Sequence, residues 1–102
     1  MYLIRRVFKC KPRSTREAAA LLVKSGKVYE EAGQRSPSRI YISGGTVPGP
    51  ENTVYMEWLA ETLESPYRAS NKLPEEILTL GKALSDFVES SYVEFYEMFD
   101  PV

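Results

Sequence analysis

The side chains in this 102-residue chain that could do chemistry are arginines, carboxylates and phenols set within short apolar runs. Arg5 and Arg6 follow one another in Tyr2-Leu3-Ile4-Arg5-Arg6-Val7-Phe8, and in a strand they must point to opposite faces. Arg6 is a candidate binder of an anion or a carbonyl. The alternative is a structural pair with Glu57 or Glu94, because a buried arginine needs a partner. Tyr41, Tyr55, Tyr92 and Tyr96 place four phenols in strand-like segments, where each could donate a hydrogen bond or act as an acid. Equally, each could pack its ring and tie its hydroxyl to a neighbour. Glu57 and Glu94 could form an acid/base pair if a shared apolar site separated their pKa values, although nothing in their spacing demands it.

Other chemistry finds little support. The chain has no histidine, which removes any Ser-His-Asp or Cys-His device and any imidazole ligand to haem. Gly44-Gly45-Thr46 lacks the lysine and the following helix of a phosphate loop. No Asp/Glu run has metal-ligand spacing, so neither a metal nor a cofactor is expected. Cys10 is the one cysteine, and a strand-end thiol without histidine reads as an inert small hydrophobe.

The net charge of −1 hides an asymmetry. Residues 1–39 hold ten Lys/Arg and three acids, and residues 40–102 hold three Lys/Arg and eleven acids. With no aromatic-interleaved basic cluster, the two halves are expected to pair within one fold and not to bind nucleic acid. The N-terminal segment lacks the apolar run of about 7–15 residues of a signal peptide, and no run approaches a membrane span. A lone cysteine suits a reducing compartment, so a soluble cytoplasmic protein is expected.

The elements that must position these residues follow from pattern. Tyr2 to Cys10 reads as a strand. Ser14-Thr15-Arg16-Glu17 matches a capping box, which predicts a helix with Ala18, Leu22, Tyr29 and Ala32 on its buried stripe and Gly33 at its end. Ser38 to Ser43 alternates as a second strand. The Gly/Pro-rich stretch from Gly44 to Asn52 is a loop. Thr53 to about Leu63 is a third strand, Glu64 to Leu73 a polar connection, and Pro74 opens a second helix whose stripe is Ile77, Leu80, Gly81, Leu84, Phe87 and Val88. Ser91 to Phe99 closes as a fourth strand. This strand-helix-strand-strand-helix-strand order predicts an α+β, ferredoxin-like βαββαβ domain over residues 1–102. Its four-stranded antiparallel sheet carries both helices on one face, with the first and third strands central.

The strands carry apolar or aromatic residues on both faces, and a sheet face without helices should be polar in a plain monomer. A homodimer that stacks sheet on sheet is therefore expected.

The strand ending in Cys10-Lys11-Pro12, the helix that follows, Tyr55-Met56-Glu57-Trp58 and the closing Glu94-Phe95-Tyr96 resemble the dimeric α/β-barrel superfamily. It includes antibiotic-biosynthesis monooxygenases and NIPSNAP-like proteins. The resemblance implies facing sheets, with a ligand pocket between each sheet and its own helices or within the barrel. It also implies that Arg6, with Ile4 and Phe8, points into the barrel, and that Trp58 matches a pocket-lining tryptophan of the monooxygenases. The expected function is small-molecule binding by a dimer, with Arg6, Tyr41, Tyr55, Glu57, Trp58, Glu94 and Tyr96 as candidate ligand contacts. The alternatives are a cofactor-independent monooxygenase or isomerase acting on an aromatic or polyketide-like compound, and a structural or regulatory dimerisation module.

Overall fold

The computed structural model describes residues 1–65, 67 and 72–99. Its elements run β1 (Tyr2–Cys10), α1 (Thr15–Glu31), β2 (Arg39–Ser43), β3 (Thr53–Ala60), α2 (Glu75–Ser85) and β4 (Val88–Glu97). The strands form one antiparallel sheet in the order β2-β3-β1-β4, so β1 and β3 are central as expected. The βαββαβ ferredoxin-like architecture is therefore the one the sequence pattern predicts.

Burial selects which strand face meets the helices. Phe8 and Cys10 on β1 and Val54 and Met56 on β3 pack with Ala18 and Leu22 of α1 in the core. Ile40, Ile42, Trp58, Leu84, Phe87 and Val88 surround that cluster. The even-numbered residues of β1 therefore lie beneath the helices and the odd-numbered ones on the opposite face. Val7, on that opposite face, is still only 1% exposed, lying between its cross-strand neighbours Tyr55 and Tyr92.

Strand limits differ from the sequence reading for a pairing reason. β3 stops at Ala60, short of Leu63, and β4 stops at Glu97, short of Phe99, because both pair there with Tyr2, where β1 begins. At its other end β4 starts at Val88, three residues earlier than expected. After α2, Asp86 and Phe87 donate backbone N–H groups to the Ala83 and Leu84 carbonyls, and Lys11 then donates to the Phe87 carbonyl. Phe87 and Val88 thus enter the core from a turn and a strand, not from the helix stripe. On that stripe Ile77 is buried but Gly81 is exposed. The connection expected over Glu64 to Leu73 falls partly outside the described residues.

The ends of α1 divide the same way. Ser14 occupies the N-cap, but its side chain makes no cap hydrogen bond, so the capping box does not form. Its backbone lies at φ −112° and ψ 3° instead of the extended conformation that aims a hydroxyl at the first turn. At the other end Gly33 adopts φ 71°, donates to the Glu30 carbonyl, and is followed by Gln34 donating to the Tyr29 carbonyl. This paired closure needs a left-handed residue at Gly33. It exposes Ala32, which the stripe had placed in the core, and turns the chain so that Arg35 comes back across the helix end.

Candidate functional site

The seven candidate contacts do not form one site. Strand pairing sets Arg6 opposite Met56 and Val93, and Ile4 opposite Trp58 and Phe95, all on the helix side of the sheet. Arg5 is opposite Glu57 and Glu94 on the other face, together with Tyr41, Tyr55, Tyr92 and Tyr96. The alternative pairing of Arg6 with Glu57 or Glu94 is therefore overturned, because the sheet lies between them. Arg5 takes that role: its Nε lies 3.8 Å from Glu94 Oε1, and its guanidinium stacks 4.2 Å from the Tyr55 ring centroid. This is the only ion pair among the described residues, and Arg5 Nε has no hydrogen-bond partner. Desolvation, then the Glu94 carboxylate, push the Tyr96 phenol above its ordinary pKa, which keeps it protonated. Tyr55 receives a hydrogen bond on its hydroxyl from Ser43 (3.1 Å), which ties the phenol to the β2 end.

On the helix side an open cleft of about 940 Å³ lies between the sheet and the C-terminal end of α1. It exists because α2 packs on α1 and on the Val88 end of β4, so no helix covers the far half of β4. Val93 and Phe95 point to the helix side and yet are 44% and 55% exposed. With Ile4 and Trp58 they form the apolar floor, and residues 59–62 border one wall.

Two arginines project into this cleft. Arg6 comes from β1, its guanidinium carbon 4.8 Å from the Phe8 ring. Arg35, after the α1 end, is held between two rings, 3.6 Å from the Tyr29 centroid and 3.9 Å from that of Trp58. Stacking of this kind favours a cation and leaves the in-plane N–H donors at the edge. One of them reaches Met56 Sδ at 4.0 Å, a weak acceptor. Burial lowers the Arg35 pKa to about 10, opposed by Tyr29 and reinforced by the neighbouring Arg6 charge. Burial also lowers that of Arg6, again with Tyr29 opposing. Glu61 and Glu64 line the cleft too, but among the described residues neither forms an ion pair with these arginines.

Arg6, Ile4 and Phe8, expected to point into the barrel, lie instead on the helix side of the sheet, because α1 closes over Phe8 and Cys10. Arg6 and Trp58 line the cleft there together with Arg35, to which the sequence pattern did not point. Tyr29 was assigned to the core stripe, and it is buried, but its ring also carries the Arg35 guanidinium. The one available signal was Gly33, whose left-handed turn redirects the two residues after it. Cys10 is buried in the core, and burial followed by Glu89 raises its thiol pKa. Among the described residues no group of three potential ligands could hold a metal ion, and no helix is long and apolar enough to cross a membrane.

Solved structures share this fold. A NIPSNAP family protein from Agrobacterium tumefaciens is similar over 99% of this chain and 97% of its own, with a TM-score of 0.70 at 17% identity. A candidate antibiotic biosynthesis monooxygenase from Deinococcus radiodurans matches over 100% and 96%, with a TM-score of 0.69 at 10% identity. A dimeric protein of unknown function with a ferredoxin-like fold, from Bacteroides fragilis, matches over 95% and 96% with a TM-score of 0.55 at 15% identity. These likenesses agree with the superfamily the sequence pattern resembles, and at such identities they establish the fold. No family model matches the chain, and no curated protein is similar to it in sequence.

Proposed function

We propose that this protein binds a small molecule in the cleft between its sheet and α1, and does so as a homodimer joined through the opposite sheet face. The cleft carries the reading. Its volume of about 940 Å³ lies within the range of small-molecule sites, and its floor of Ile4, Trp58, Val93 and Phe95 is apolar where a helix would otherwise sit. Trp58 is the single tryptophan, so its indole N–H gives one resonance that reports on the cleft. Titration with neutral 2-naphthol should move that resonance, and no movement at millimolar concentration would remove the reading.

Support for the homodimer comes from the helix-free face, where Tyr41, Leu59, Tyr92 and Tyr96 are all more than two-fifths exposed. That face also carries both signs of charge, in Arg5 and Arg39 against Glu57 and Glu94, as self-association requires. The Bacteroides fragilis protein of similar fold is dimeric, which supports a dimer here.

The likeness to the candidate monooxygenase, with Trp58 in the cleft, favours one further reading: cofactor-independent oxygenation of an aromatic compound. Oxygen consumption with a 1,8-dihydroxyanthrone probe, absent in Trp58→Ala, would support it. Binding of 2-naphthol without any oxygen uptake would leave a binding protein.

A further inference from the structure

We infer that the ligand of this cleft is an organic monoanion, a carboxylate on an apolar and preferably aromatic body, with Arg6 and Arg35 receiving the carboxylate. The inference rests on the cleft being a binding site and adds the chemical class of its occupant.

Two half-buried guanidinium groups of like charge lie in one cleft, and neither has a carboxylate partner among the described residues. Partly desolvated cations are kept in folded proteins when something compensates them. The stacked rings of Tyr29 and Trp58 compensate the faces of Arg35, and Met56 Sδ is a weak acceptor for one edge. Among the described residues, the remaining in-plane donors of both arginines have no acceptor. A carboxylate presents two oxygens that accept from such forks and would relieve the repulsion between them. The floor of Ile4, Val93 and Phe95, beside Trp58, then takes the apolar body.

Phosphate fits less well. The cleft opens at the C-terminal end of α1, where Tyr29, Gly33 and Gln34 line it, so the helix dipole presents its negative end. Glu61 and Glu64 add negative charge at the wall. A single negative charge on an apolar body suits that field better than a doubly charged phosphate.

The test uses the full chain and two probes of matched shape, 2-naphthoate and neutral 2-naphthamide, with the Trp58 indole resonance as readout. In the wild type, naphthoate should bind about tenfold or more tightly than naphthamide, as expected for charge-assisted hydrogen bonds. Arg6→Met and Arg35→Gln should each bring that ratio to about threefold or less while naphthamide binding persists. Should one variant fail to fold, the other and the wild-type ratio decide. A wild-type ratio near one, with both probes binding, overturns the anion assignment and leaves the cleft reading standing. A high ratio unchanged in the folded variants places the anion elsewhere and also overturns it. Failure of both probes to move Trp58 removes the cleft reading together with this inference.

Discussion

Arg5 and Arg6 are neighbours in sequence and face opposite sides of the sheet. Arg5 lies 3.8 Å from Glu94 and against the Tyr55 ring, whereas Arg6 opens into the cleft with Arg35. Equivalent substitutions should therefore have unlike effects. Arg5→Met breaks a half-exposed ion pair and should cost about 1 kcal/mol or less. Arg6→Met removes a partly desolvated cation that repels Arg35, and the protein should be as stable as the wild type or more so. Urea unfolding of both variants checks this. A loss of about 3 kcal/mol in Arg6→Met would mean that the residue is paired after all.

The two ends of α1 give a second contrast. Ser14→Ala should change stability by less than about 0.5 kcal/mol, because its hydroxyl makes no cap bond. Gly33→Ala should cost about 1 kcal/mol, from forcing a Cβ into the left-handed region, since no atom lies within 4 Å of the added methyl. Thermal melts that ranked the two substitutions in the reverse order would contradict the observed helix ends.

Cys10 should resist thiol reagents. At about pH 8 the native protein should react with a disulfide reagent only after urea is added, because the thiol is buried and its pKa raised. The raised folded pKa also sets a pH dependence. Its stabilising contribution is complete below the unfolded value of about 8.5 and is lost as pH rises toward the folded value. The stability advantage of wild type over Cys10→Ala should therefore shrink between about pH 7 and pH 10. A constant difference across that window would show a thiol that titrates normally.

Self-association can be checked by light scattering at micromolar concentration. The wild type should give about twice the chain mass of 11.6 kDa. Tyr96→Glu adds a charge beside Glu94 on the helix-free face, where Tyr96 is already 44% exposed in the single chain. It should yield the monomer mass with an unchanged circular dichroism spectrum. A dimer that survives this substitution would move the interface away from that face.

The element order was legible because each element rests on local chemistry. β-Branched and aromatic residues in Tyr2–Cys10 and Thr53–Ala60 specify strands, and Gly33 specifies a helix end, whatever surrounds them. The two-residue repeat of a strand also determined that Arg5 and Arg6 part company. It could not say which of them meets the helices, since Val7 and Phe8 are both apolar and both buried. Packing made that choice by closing α1 over Phe8 and Cys10, and so put Glu57 and Glu94 beyond the reach of Arg6. The Ser14 motif was equally readable and failed, because a capping box needs a backbone conformation that its residue types do not enforce. The cleft is purely tertiary. Val93 and Phe95 lie on the helix side of β4 and are open only because α2 packs toward the other end of the sheet. Arg35 meets Trp58 across 23 positions of sequence and Tyr29 across a helix end. No local periodicity encodes such a meeting, because it depends on where two separately specified elements come to rest against each other.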